Sequence, residues 1–127
     1  MDEAVKVATY AIEKNSEELH KLSQEIWSKP ELSYEEFHAH KVLTDYLEET
    51  GFNVLRKTPI DTSFIARFGN GSDGPKIGVM CEYDALPGIG HACGHNLIAE
   101  AGVAAGLGKL VCFMTQNLIL MPFVHDV

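Results

Sequence analysis

The sequence predicts an α/β fold with helices packed on a mixed sheet, and three observations carry that expectation. Two stretches of helical periodicity open the chain, three short extended runs follow, and a helix rich in alanine and glycine comes after them. That order fits a layered α/β unit better than a helical bundle. A chain of 127 residues, 46% of them hydrophobic, is of single-domain size and long enough to bury a core.

From Asp2 to about Ser28, apolar residues at Val5, Ala8, Ile12, Leu19, Leu22 and Ile26 recur with the period of one helix face, and a break is expected near Asn15 and Ser16. Pro30 lacks an amide donor and disfavours helix at Lys29, so "SKPEL" ends this region. A second helix is expected from Ser33, where Ser33 and Glu36 match a capping box, with Ala39, Val42, Leu43, Tyr46 and Leu47 on its inner face. Gly51 should end it in a left-handed cap. The extended runs are "FNVLRK", "SFIARF" and "KIGVMCEY", with the turn residues "GNGSDGP" between the last two.

Asn96 to Lys109 predicts a helix whose small residues let it lie close against a sheet. Each of its internal glycines costs about 1 kcal/mol relative to alanine, so packing must supply the difference. The last stretch, "LVCFMTQNLILMPFVHDV", is apolar but interrupted by Thr115, Gln116, Asn117 and Pro122, and falls short of the roughly 20 apolar residues of a spanning helix. "LVCFM" is expected as a buried strand, and nothing after it shows capping or turn logic.

The net charge of -8 and a pI near 5.1 argue against phosphate-backbone binding, so no nucleic acid partner is expected; no membrane partner is expected either. The N-terminus has neither the basic start nor the apolar run of a secretory signal, which predicts a cytoplasmic chain. Cys81, Cys93 and Cys112 are an odd count in that setting, where thiols bind metal or catalyse more often than they form disulfides.

The chemistry concentrates in "CEYDALPGIGHACGHN", residues 81–96. Cys93 and His95 converge on a divalent cation only if the backbone bends, and Gly94 between them permits the bend. Thiolate and imidazole suit zinc or another borderline metal. Asp84 lies where strand ends meet ligands in open α/β sheets. It either binds the metal or accepts the far ring proton of His95, fixing the tautomer. Glu82 points to the same face as a second acidic candidate, and His91 is a weaker one. Blander readings suffice elsewhere: Cys81 is a small buried hydrophobe, and His38 and His40 do not share a helix face. The pairs Glu17-Glu18, Glu35-Glu36 and Glu48-Glu49 belong to polar helix faces or caps.

"SKPELSYEE", "EYDALPG" and "GHACGHN", in this order and spacing, resemble the amino-terminal part of a metallopeptidase family that includes aminoacylases, carboxypeptidases, carnosine-type dipeptidases and related amidohydrolases. Within it the sequence is most similar to the aminoacylase-like dipeptidase subgroup, which acts on dipeptides such as β-alanyl-lysine. The match runs from about residue 15 to 110.

The resemblance implies a hydrolase, with an incomplete zinc-aminopeptidase-like catalytic domain over residues 1–110 and a non-matching tail over residues 111–127. It implies Cys93 and His95 as ligands of a divalent metal, zinc or manganese, with Asp84 as the catalytic residue at that centre. The complete enzyme would take a dipeptide or an N-acyl amino acid as substrate.

Two departures stand out. Many amidohydrolase relatives carry Asp where this chain has Asn96, which is expected to cap the following helix. Family members are also several times longer, and after the next strand carry a Glu-Glu pair that supplies the general base and a ligand. Here residues 111–127 contain no Glu, and His125 is their only candidate ligand. The expectation is therefore a truncated fragment, inactive alone. Its alternatives are a non-catalytic module that associates with a full-length homologue, or a small structural zinc domain drawing on Cys93, His95 and two of Cys81, His91 and Asp84.

Overall fold

A computed structural model describes residues 2–69, 76–112 and 117–122. Its elements are helices α1 (Glu3–Lys14), α2 (Ser16–Ser28), α3 (Phe37–Glu49) and α4 (His95–Cys112), and strands β1 (Asn53–Arg56), β2 (Phe64–Phe68), β3 (Lys76–Cys81) and β4 (Asn117–Pro122). The sheet runs β1-β2-β4-β3. Strands β1 with β2 and β2 with β4 are antiparallel, whereas β3 and β4 are parallel from Lys76↔Asn117 to Cys81↔Pro122, with α4 as the crossover between them. The α/β class and the mixed sheet are as expected.

The opening helical stretch does break at Asn15, whose side-chain amide turns back to donate to the Ala11 carbonyl at 2.8 Å. Helices α2, α3 and α4 lay Leu22, Ile26, Leu43, Leu47, Ala99 and Val103 over Phe64, Ala66, Leu118 and Leu120 of the central strands, forming one buried core. Helix α3 ends as expected at Gly51, with φ of 95°. The Gly51 amide donates to Glu48 and the Phe52 amide to Leu47, the paired bonds of a Schellman motif.

Three local expectations are corrected. Helix α3 begins at Phe37, not Ser33, and no capping box forms. The amides of His38 and Ala39 instead donate to the two carboxylate oxygens of Glu31, at 2.8 and 3.0 Å, so the cap comes from before the turn. Asn96 does not cap α4. It lies inside the first turn, 4% exposed, and donates to the Ser23 hydroxyl of α2 at 3.1 Å. "LVCFM" is not a strand: α4 continues through Cys112, and Phe113 and Met114 lie outside the described residues. The additional strand is Asn117–Pro122, placed between β2 and β3. A central strand with a parallel neighbour is an uninterrupted apolar run without alternation, so "LILM" carries no strand period to read.

The small residues of α4 act as expected. A Cβ on Gly102 would meet the Cys81 Cβ and Sγ at 2.9 Å, and one on Gly106 would meet Leu120 Cδ1 at 2.9 Å. The helix therefore lies on β3 and β4 at a distance only glycine permits.

Candidate metal centre

Strand β3 and helix α4 build the site between them. The chain leaves β3 at Cys81 and keeps the extended alternation for three more residues. Tyr83 enters the core, 2% exposed, stacks on Phe64 with ring centroids 6.3 Å apart, and donates its hydroxyl proton to the Thr62 carbonyl. Its neighbours Glu82 and Asp84 consequently project to the opposite side.

The chain then turns back through Leu86 and Gly90, which exchange backbone hydrogen bonds at 3.0 and 3.1 Å. A single 3-10 turn over His91–Cys93 follows, and Gly94 adopts a left-handed conformation with φ of 83°. That bend starts α4 at His95 and delivers the imidazole between the two carboxylates. His95 Nδ1 lies 2.9 Å from Asp84 Oδ1, and Nε2 lies 3.0 Å from Glu82 Oε2.

Among the described residues, Glu82, Asp84 and His95 form the group whose donor atoms all lie within 4.8 Å of one another. Asp84 is 2% exposed, and the side chains of His95 and Glu82 are 16% and 22% exposed. Only an imidazolium donates at both ring nitrogens. A neutral ring that keeps its Nδ1 proton for Asp84 presents a lone pair at Nε2 toward Glu82, a nitrogen–carboxylate pair of the kind a divalent cation takes. The donor set therefore fits such an ion.

Cys93 sits at the same turn, partly exposed, with Sγ 3.8 Å from the Asp84 carbonyl and 4.0 Å from that of Gly90. It is not one of the three clustered groups. His91 is 7% exposed; burial first, then repulsion from His95, holds its pKa below the usual range against the opposing pull of Asp84 and the Ile26 backbone. Cys81 is buried against Gly102, and burial pushes its thiol up to about 12, as suits a packing residue. His38 pairs with Glu25 at 3.3 Å, and His40 packs edge-on against Phe64. His125 and Cys112 lie outside the residues whose side chains are described.

Two residues that touch the site escaped the sequence reading. The Ser33 hydroxyl donates to Asp84 Oδ2 at 2.9 Å, and the Glu31 carbonyl accepts from the Ala85 amide at 2.7 Å. Both lie in "PELS", whose local pattern suggested a helix end at Pro30 and a helix start at Ser33.

A βαβ crossover carrying a carboxylate–imidazole cluster at the strand's carboxyl end is an α/β arrangement suited to holding a divalent cation. No family model matches the chain. It is 49% identical over 109 residues to the Xaa-Arg dipeptidase of Homo sapiens, covering 76% of this chain and 25% of that protein. It is 35% identical over 125 residues to a p-aminobenzoyl-glutamate hydrolase chain of Escherichia coli, covering 84% and 26%.

Among solved structures, the Bacillus subtilis YXEP protein, a dinuclear metal-binding peptidase of the M20 family, aligns with a TM-score of 0.72 and 25% identity over 86% of this chain and 35% of that one. A protein described as an aminohydrolase from methicillin-resistant Staphylococcus aureus aligns with a TM-score of 0.81 over 95% of this chain and 35% of that one, at 15% identity, and shares the fold. The chain is homologous to part of these hydrolases and of an M20-family peptidase, relatives of the kind its motifs resemble. It spans about a quarter of the length of the curated relatives it matches.

Proposed function

We propose that the chain carries part of the metal centre of a peptidase or amidohydrolase that in complete form cleaves the amide bond of dipeptides or N-acyl amino acids. The observation that carries this is His95 held between Glu82 and Asp84 where β3 ends and α4 begins. The names of the relatives, a dipeptidase acting before arginine and an aminobenzoyl-glutamate hydrolase, support an amide substrate.

Asp84 accepts the Nδ1–H hydrogen bond and so orients the ring, His95 and Glu82 offer nitrogen and oxygen donors, and Cys93 at the same turn offers sulfur. Thiolate with imidazole favours zinc, and carboxylates with imidazole also admit manganese. A bound cation supplies Lewis acidity toward the amide carbonyl and toward water. We take residues 1–110 as the catalytic-domain part and residues 111–127 as a divergent tail that supplies β4.

The resemblance puts the general base in a Glu-Glu pair after the next strand, and these 127 residues contain no Glu beyond Glu100, so we take the chain alone to bind metal without turnover. The test is zinc and manganese titration of the purified chain, with dipeptide hydrolysis measured in parallel. Binding is expected, weakened by about tenfold or more in His95→Ala, with hydrolysis no higher than a metal-only control. Binding indifferent to His95→Ala, or robust turnover abolished by Cys93→Ser, would overturn the proposal.

A second reading, association with a full-length homologue, is favoured by β3. It closes one side of the sheet among the described residues and leaves Ile77 and Met80 exposed. Co-elution of the chain with such a homologue supports it; a chain that elutes alone in the mixture excludes it.

A further inference from the structure

The segment between Pro30 and Ser33 is a strap across the site loop. Pro30 packs near Gly90, with a Cβ at that glycine falling 3.6 Å from the proline ring, and the Ala85 amide donates to Glu31. Leu32 makes a parallel bridge with Ala85. This places the Ser33 hydroxyl 2.9 Å from Asp84 Oδ2, 51 positions away in sequence. The other oxygen, Oδ1, faces His95 Nδ1 at 2.9 Å.

The Asp84 carboxylate therefore has one named side-chain partner for each oxygen, on a residue only 2% exposed. If Oδ2 loses its donor, a buried acceptor is left unsatisfied, and the carboxylate recovers by rotating toward whatever donor remains. Rotation moves Oδ1 off His95 Nδ1, and with it the constraint on which ring nitrogen carries the proton.

We propose that Ser33 is a positioning residue for the metal centre: its hydroxyl locks the Asp84 carboxylate so that His95 keeps its proton on Nδ1 and its lone pair on Nε2. This rests on the reading of His95 as a ligand, and the test separates the two. Ring-nitrogen chemical shifts of His95 are recorded in the metal-free chain at a pH where they show the ring to be neutral, and zinc affinity is measured on the same samples. The wild-type chain should show the Nδ1–H tautomer.

Ser33→Ala should move both ring shifts toward the average of the two tautomers and weaken zinc about tenfold. Ser33→Thr, which keeps the hydroxyl, should restore both. A merely structural loss would lower thermal stability without changing the tautomer. Wild-type shifts and affinity in a folded Ser33→Ala chain overturn the assignment, as do alanine-like shifts in a folded Ser33→Thr chain. A wild-type chain that binds no zinc overturns the ligand reading instead, and the ring shifts still decide the role of Ser33.

Discussion

His40 shows how one residue couples folding to pH. It is buried at 6% exposure on α3, beside Phe64, with Nε2 lacking a hydrogen-bond partner. Burial lowers its pKa, and Arg56 and Lys57 lower it further, against the opposing pull of the Ser63 carbonyl and Asp45. The unfolded chain then binds more protons than the folded one between about 6.5 and the lower folded value. The stability contributed by neutral His40 is present above about 6.5 and lost as pH falls through the folded pKa. Urea midpoints measured downward from neutral pH should drop, and drop less in His40→Gln; equal slopes in the two chains would refute this. At this scale the sequence singled out Asp84, Cys93 and His95 in one glycine-punctuated run, and the structure brings Asp84 and His95, eleven positions apart, together while leaving Cys93 outside the cluster. It misread Ser33, because a Ser-x-x-Glu pattern is judged against its neighbours while the true partner is distant in the chain.

The elements were more legible than their ends. Helical periodicity marks α1 to α3 and turn residues mark β1 to β3, because burial on one face leaves a period in the sequence. Helix α4 lacks that contrast and was recognised from its small residues, whose use is now specific. Gly102 lies against the Cβ of Cys81, an atom fixed to the β3 backbone, so Gly102→Ala cannot be relieved by a rotamer change. Alanine's intrinsic helix advantage of about 1 kcal/mol is opposed by an overpacking cost of about 1–3 kcal/mol. A net loss of stability is expected, read as a lower urea midpoint with unchanged slope. Gly106→Ala should cost less, since it meets the flexible end of Leu120. A Gly102→Ala chain more stable than wild type would show that α4 can retreat from the sheet.

Across the whole molecule, what the sequence could not announce is long-range pairing. Strand β4 is legible only once β3 and α4 are in place, because "LILM" is apolar at every position although only Leu118 and Leu120 are buried and Ile119 and Met121 are half-exposed. Its Leu118 and Leu120 are each 1% exposed, so the segment with the least sequence signal occupies the centre of the core. Glu31 joins distant parts differently: its carboxylate holds the first amides of α3 while its carbonyl holds the Ala85 amide beside the site. Opening of the site loop and fraying of α3 then share a hinge, so hydrogen exchange at His38, Ala39 and Ala85 should slow together when zinc or manganese is added. Independent exchange at Ala85 would show the two ends of Glu31 to be uncoupled. If they move together, the start of a helix that contributes no ligand serves as a built-in gauge of occupancy, readable without substrate or turnover.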